Sequence, residues 1–340
     1  MAERIIKCPQ CNAPLSPSRF AHQVVCSFCG ATVQIDPSLV TAAKFREALE
    51  LWSSPAHHGY SSWCSIGDRH WAVDGLIAYG EISDVYMANR ARWPSERVLF
   101  KVLRAEGDAP LLEQEWHVLS SLQQSTATGA ATFTTLVPQP VQHGVIQSGQ
   151  HAGARALVLR WAPGFIHTFE AVRRAYPEGI EPRASVWMWR RILEVLSFLH
   201  RSGIVHGAVL PQHLLIQEHE HGIRLVGYSC ADSTGKRLQA VNTRLEAFYP
   251  AAVLKSQILS PAMDVRMSAR CIAFVLGAGP LAEKMPSAVP APLAAFVQGV
   301  AFDDAGDASV EDAWSLRERL GVLAQDLYGA PSFIPLRMPR

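Results

Sequence analysis

Residues 198–216 read FLHRSGIVHGAVLPQHLLI and join a helical pattern to a loop and then to an apolar strand. Upstream of this stretch, apolar residues recur at spacings of three and four, which predicts a long buried helix. They are Trp189, Ile192, Leu193, Leu196 and Leu199. Gly203 follows as the residue at which such a helix stops. The stretch therefore predicts a buried helix that ends at Gly203 and leads into a loop around His206.

A strand and a helix earlier in the chain carry opposite charges. Residues 98–103, VLFKVL, have the pattern of an apolar strand with one charged residue, Lys101. Residues 111–122 follow as an amphipathic helix that contains Glu113 and Glu115. Glu115 fits the helical pattern Glu-x-x-x-Leu-x-x-Leu better than Glu113 does, so it is the predicted partner of Lys101.

Together these segments resemble a protein kinase. The stretch 198–216 is similar to the kinase frame L-H-x-x-G-I-V-H-R-D-L-K-P-E-N-L-L-I, and a strand lysine followed by a helix glutamate is the kinase arrangement for holding nucleotide phosphates. Residues 157–164, LVLRWAPG, resemble the fifth strand and the hinge. The resemblance covers about residues 72–325 and implies an α+β, bilobal protein-kinase-like fold.

The residues that carry kinase chemistry are replaced in this sequence. Ala208 stands at the position of the catalytic aspartate, and His213 at that of the magnesium-binding asparagine. Gly227 stands where the family places its second magnesium ligand, the aspartate of D-F-G. Phosphoryl transfer depends on positioning and on neutralising charge. The resemblance therefore implies a pseudokinase, and we expect no enzymatic activity.

The phosphate cradle is also altered. Residues 78–85, AYGEISDV, keep only Gly80 and Val85 of the glycine-rich pattern, and Glu81 and Asp84 add negative charge there. Lys101 and Glu115 would remain as a vestigial nucleotide site. Lys101 either binds phosphate or forms a structural ion pair, and the loss of the metal ligands favours the ion pair. We expect ATP to bind weakly or not at all.

Four cysteines in the first thirty residues predict a metal site. Cys8 and Cys11 form one C-x-x-C pair, Cys26 and Cys29 form a second one, and fourteen residues separate the two pairs. Two such turns can surround Zn²⁺ with four thiolates, which predicts a small zinc ribbon with structural zinc. Gly30 supplies the left-handed residue after the second pair. Disulfides or a redox pair are the alternatives.

The charge of the ribbon decides between its possible partners. Residues 1–36 carry Arg4, Lys7 and Arg19 against Glu3 and Asp36. This near-neutral balance is a poor match for phosphate, so it argues against nucleic-acid binding and favours a partner protein. We expect the zinc to serve folding first, because so small a unit cannot be stabilised by burial alone.

Composition bounds the class of protein. The 340 residues are 49% hydrophobic and 18% charged, with a formal net charge of +1, so the chain can bury a large core. No apolar stretch reaches the ~20 residues of a membrane-spanning helix. The N-terminal residues lack the apolar region of a secretory signal, which predicts a cytoplasmic protein.

The predicted organisation has four parts. They are a four-cysteine zinc ribbon at residues 1–36, a connecting helix and loop at 37–68, a kinase-like N-lobe at 69–161, and a C-lobe with an extended tail at 162–340. The connecting helix is expected to start at Asp36, and residues 53–67 are predicted as a loop. His219 and His221 are predicted in a solvated turn between two strands. The apolar tail around Phe333 is expected to pack on its own body.

Three functions follow from this pattern. The first is a catalytically inactive, kinase-like scaffold or regulator that binds a partner protein, as the bacterial proteins that place a zinc ribbon before a kinase-like domain suggest by analogy. The second is an atypical nucleotide-dependent transferase that phosphorylates or adenylylates. The third is nucleic-acid binding through the ribbon.

Overall fold

The computed structural model describes most of the chain. The described residues are 7–8, 13–15, 23–30, 32–34, 62–91, 93–218, 221–281, 284–302, 310 and 312–339. Cys11 and most of the predicted connecting segment, residues 37–61, lie outside them.

The cysteine-rich region and the N-lobe are built mainly from strands. A short hairpin, β1 (Gln23–Val25) with β2 (Thr32–Gln34), belongs to the cysteine-rich region. The elements of the N-lobe are β3 (Ser62–Ile66), β4 (Arg69–Tyr79), β5 (Ser83–Arg90), β6 (Trp93–Leu103), α1 (Ala109–Gln123), β7 (Pro140–Val145) and β8 (Arg155–Arg160). The strands form an antiparallel sheet in the order β3-β4-β5-β6-β8-β7, and the long helix α1 follows β6 along the chain.

Strand β3 corrects the prediction of a loop over residues 53–67. Cys64 and Ile66 are buried, while Trp63 beside them is 55% exposed, a pattern that fits a half-buried strand. β3 and β7 are the two edge strands of the sheet, and the sheet is curled so that they meet. The Gln142 side-chain amide on β7 donates a hydrogen bond to the Ile66 carbonyl of β3 over 2.7 Å. The surrounding Ser and His residues hid this pattern in the sequence.

The C-lobe is mainly helical. Its helices are α2 (Ala130–Phe133), α3 (Phe169–Ala175), α4 (Pro182–Arg201), α5 (Ala251–Ser256), α6 (Pro261–Val275), α7 (Ala291–Phe302) and α8 (Ala313–Tyr328). The C-lobe also contains the short strands β9 (His167–Thr168), β10 (Ile204–Val205), β11 (Leu214–Gln217), β12 (Gly222–Leu225) and β13 (Asp232–Ser233). Helix α4 is the predicted buried helix, and Gly203 follows it in the left-handed region with φ +78°.

Packing around α4 forms the main core. Trp189 and Phe198 of α4 are fully buried, and the indole N–H of Trp189 donates to Ser268 Oγ of α6 over 3.0 Å. Within the described residues, no helix combines the length and the apolar character that crossing a bilayer requires.

The tail packs on its own body and reaches the cysteine-rich hairpin. Leu336 is 5% exposed and belongs to the main core. The Met338 backbone N–H donates to Glu218 Oε2 over 2.8 Å. Phe333 meets Phe28 of the hairpin edge to face, with ring centroids 6.0 Å apart. The tail therefore lies between the C-lobe and the hairpin.

His221 is the second correction, because it is 1% exposed rather than solvated. Its ring is stacked between Trp187 at 4.1 Å and Phe333 at 3.9 Å. Burial lowers the pKa of His221 to about 3, so the ring is neutral at physiological pH. His219 lies outside the described residues.

Candidate functional site

The loop after α4 is held by one buried carboxylate. Asp264, in the first turn of α6, is fully buried and accepts hydrogen bonds from the backbone N–H groups of His206 (2.7 Å) and Gly207 (2.9 Å). Its Oδ2 also lies 3.0 Å from His200 Nε2 on α4. Charge-assisted bonds of this kind are about twice as strong as neutral ones. Asp264 therefore fixes the loop to two helices.

His206 adds a second tether to the same loop. Its Nδ1 accepts from the Ala208 N–H over 3.2 Å, so the proton sits on Nε2, which donates to the Val226 carbonyl over 3.2 Å. Burial lowers the pKa of His206 to about 4. A neutral imidazole therefore links the loop to the residue just before Gly227.

The His213 ring fills the space beside Gly227. A β-carbon built on Gly227 would lie 2.7 Å from His213 Nε2 and 2.8 Å from Cδ2. The ring is fixed from its other side, where Nδ1–H donates to the Ala208 carbonyl over 2.8 Å. Gly227 itself has φ +80°, a conformation that side-chain-bearing residues rarely adopt. The side chain at 213 thus occupies the volume that an aspartate at 227 would need.

Lys101 on β6 and Glu115 on α1 form an ion pair. The Glu115 side chain is 1% exposed and that of Lys101 is 14% exposed. Glu113 instead pairs with Arg155, whose Nη1 lies 2.8 Å from Glu113 Oε1. The sheet and the helix thus bring Lys101 together with Glu115, the glutamate that the helical spacing favoured.

The glycine-rich loop is closed onto the C-lobe by Glu81. Its Oε1 accepts from the Gln212 side-chain amide over 2.8 Å and also from the Asn242 amide. Gly80 makes the tight turn that places Glu81, with its N–H bonded to the Ser83 carbonyl over 2.8 Å. A β-carbon at Gly80 would meet that same carbonyl oxygen at 2.8 Å, so the turn needs glycine. Sequence reasoning missed this bridge.

Three carboxylates near the two loops are bonded to other groups of the protein. Asp264 binds two backbone amides, Glu115 binds Lys101, and Glu81 binds two side-chain amides. Of these three carboxylates, Glu115 is paired with a cationic side chain, whereas the partners of Glu81 are neutral amides.

Three cysteines of the hairpin region lie together. The sulfur atoms of Cys8, Cys26 and Cys29 lie within 4.8 Å of one another, and those of Cys8 and Cys29 are 3.5 Å apart. Cys8 and Cys26 are buried. The fourth predicted ligand, Cys11, lies outside the described residues.

This cluster fits a metal ion. Thiolates about 2.3 Å from a tetrahedral Zn²⁺ are separated by about 3.8 Å, close to the 3.5 Å observed and far from a ~2.05 Å disulfide bond. The Gly30 N–H bonds the Cys26 carbonyl over 2.8 Å, and Gly30 has φ +78°. The turn at residues 26–30 thus has the left-handed glycine that the sequence predicted.

Comparison with known proteins supports the fold. No protein-family model matches the chain, and no curated protein matches it in sequence. Among solved structures, the chain is similar to the crystal structure of the BubR1 kinase domain, with a TM-score of 0.58 and 10% identity. The match covers 84% of this chain and 91% of that one. The chain therefore has a kinase-like fold, with a cysteine cluster able to hold a metal ion.

Proposed function

We propose that this protein is a catalytically inactive, kinase-like scaffold that binds a partner protein, with a zinc ribbon of structural role attached to its C-lobe. The observation that carries this proposal is the His213 ring beside Gly227. His213 and Gly227 stand at two metal-ligand positions of the kinase family, and the His213 ring occupies the space that an aspartate at position 227 would need.

The closed glycine-rich loop supports the same proposal. Glu81 links this loop to Gln212 and Asn242, across the mouth of the cleft. A triphosphate entering the cleft would have to break these bonds and approach an uncompensated carboxylate. The Lys101–Glu115 pair forms without a ligand and joins β6 to α1.

A labelled-ATP transfer assay tests the absence of catalysis. The full chain is incubated with ATP and Mg²⁺ or Mn²⁺, and both phosphoryl and adenylyl transfer to protein substrates are measured. We expect no transfer above a heat-treated control. Robust turnover that is lost in Lys101→Ala would instead support the atypical transferase, which the intact Lys101–Glu115 pair favours as the second candidate.

Partner binding is supported by an exposed apolar strip at the free end of β4. β3 pairs with β4 only over residues 69–73. Beyond that point Ile77 is 38% exposed and Tyr79 is 78% exposed. Exposed apolar side chains beside an unpaired strand edge are suited to contact with another protein.

Affinity purification from the native host, read by mass spectrometry, tests this surface. The bait is the full chain, compared with an Ile77→Ser/Tyr79→Ser variant and with Val145→Ser, which changes a 45% exposed residue at the end of β7. A partner retained by the wild type and by the Val145 variant, and lost by the double variant, supports the proposal. Equal recovery by all three contradicts this choice of surface.

The zinc assignment is tested by metal analysis. We expect one zinc ion per purified chain, and its loss in Cys26→Ser, because thiolates are the ligands that structural zinc prefers. Ser27→Ala is the matched control, since Ser27 sits in the same turn and is not part of the sulfur cluster. A metal-free wild-type chain would contradict the assignment.

A further inference from the structure

A cavity of about 450 Å³ lies between the cysteine-rich hairpin, helices α4 and α8, and the start of the tail. This volume is within the range of small-molecule sites, roughly 300–1,000 Å³. Arg183, Trp187 and Arg190 line it from successive turns of α4, because residues four and seven apart share one face of a helix. Tyr328 lines it from the end of α8 and Phe28 from the hairpin.

Four residues of the lining carry buried polar atoms without a hydrogen-bond partner. They are Trp187 Nε1, Arg190 Nε, His221 Nδ1 and Tyr328 Oη. Trp187 is 8% exposed and His221 is 1% exposed, so solvent does not satisfy these atoms. Leaving such groups unpaired costs free energy. The Trp187 and Arg190 groups are donors, which points to a ligand that supplies acceptor oxygens.

The charge of the lining indicates an anion. Three guanidinium groups, of Arg183, Arg190 and Arg317, face one carboxylate, that of Glu318. Arg317 is already paired with Glu194 over 2.8 Å and with Glu318. Among the described residues, no carboxylate lies within ion-pair distance of Arg190, whose pKa is lowered by burial and then by the charge of Arg317. Arg183 likewise has no carboxylate within ion-pair distance among the described residues, so Arg183 and Arg190 are two unpaired positive charges that a dianion would neutralise.

We propose that this cavity binds a small molecule through a dianionic phosphate group, with the Arg183 and Arg190 side chains as its main cationic contacts and the Trp187 N–H as a neutral donor. Guanidinium groups bind phosphate oxygens through two parallel hydrogen bonds, which suits arginine to this role. The ligand would touch the hairpin, the C-lobe and the tail together, and would strengthen their association. The site is separate from the cleft between the lobes.

The test is calorimetric titration of the full chain with AMP, with inorganic phosphate, and with adenosine as the probe that lacks phosphate. Arg190→Gln removes the charge, and Arg174→Gln changes an exposed arginine outside the cavity as the matched control. Gly321→Leu fills the space, since a β-carbon there would lie 3.7 Å from Arg190 Cζ. This second variant replaces a helical glycine, so we expect it to fold at least as well as the wild type.

We expect AMP or phosphate to bind at millimolar concentration or below, adenosine not to bind, and Arg174→Gln to behave as the wild type. Arg190→Gln should weaken binding about tenfold or more, and Gly321→Leu should abolish it. Tighter binding of AMP assigns a phosphate ester as the ligand, and equal or tighter binding of phosphate assigns the free ion. Absence of binding by both probes, or binding that persists in both cavity variants, would overturn the proposal.

Discussion

Replacing Gly227 by alanine measures directly whether His213 fills the space beside it. The new β-carbon would meet three ring atoms at 2.7–2.9 Å, and the ring cannot retreat freely because it is bonded to the Ala208 carbonyl. Crowding of this kind costs about 1–3 kcal/mol. The left-handed backbone at φ +80° adds about 1–2 kcal/mol for any residue with a β-carbon. We expect the free energy of unfolding to fall by about 2–5 kcal/mol.

Gly235→Ala separates the two contributions. Gly235 has φ +83°, and a β-carbon there would meet nothing within 4 Å. Its substitution should therefore show only the backbone cost, about 1–2 kcal/mol. Urea denaturation followed by tryptophan fluorescence measures both variants. In a His213→Ala background, Gly227→Ala should cost no more than Gly235→Ala does. Equal losses for the two glycine variants in the wild-type background would refute the packing of His213 against Gly227.

Three further perturbations test other parts of the structure. Lys101→Met should lower the free energy of unfolding by about 3–5 kcal/mol in urea denaturation, because it leaves the buried Glu115 carboxylate unpaired. Adding Glu115→Leu should recover most of that loss. An unchanged urea midpoint in Lys101→Met would contradict a structural role for the ion pair. As the pH is lowered from about 6.5 to 4, the free energy of unfolding should fall, because His206 takes up a proton in the unfolded chain but stays neutral in the folded one, where its pKa is about 4. The full contribution of His206 is about 3 kcal/mol. If the pH dependence of His206→Gln were as steep as that of the wild type, His206 would not be its source. Glu81→Ala should speed hydrogen exchange at residues 80–83 and change global stability by about 0.5 kcal/mol or less, and unchanged exchange there would mean that Glu81 does not close the loop.

The parts of the fold that the sequence predicted depend on local patterns. The apolar spacing before Gly203 predicts α4, and the strand and helix patterns around Lys101 and Glu115 predict the elements that bring those residues together. Each of these signals lies within one element or between two neighbouring ones. Local preference and tertiary packing agree there, so the sequence is informative.

The contacts that sequence reasoning missed join distant segments. Glu81 meets residues 131 and 161 positions away, and no short pattern indicates such a pairing. His221 lies in a run of polar residues that is typical of a solvated turn. It is buried because Trp187 and the distant tail residue Phe333 cover both faces of its ring. The four unpaired atoms of the cavity lining likewise come together only in the folded chain.

The tail explains how the hairpin is held against the body. Phe28 contacts Phe333 and His221, and the Arg191 guanidinium lies 4.9 Å from the centre of the Phe28 ring. Arg191 in turn pairs with Glu194 over 2.6 Å. A hairpin this small buries little surface of its own, so these aromatic and cationic contacts stabilise its position.

Calorimetric titration of the full chain with ATP and Mg²⁺ tests the central claim most directly, namely that the cleft does not hold a metal-nucleotide complex. We predict no Mg²⁺-dependent binding at the cleft, so that any heat of ATP binding arises at the arginine-lined cavity and disappears in Gly321→Leu. Stoichiometric, Mg²⁺-dependent binding that persists in Gly321→Leu and is lost in a folded Lys101→Met/Glu115→Leu variant would contradict it.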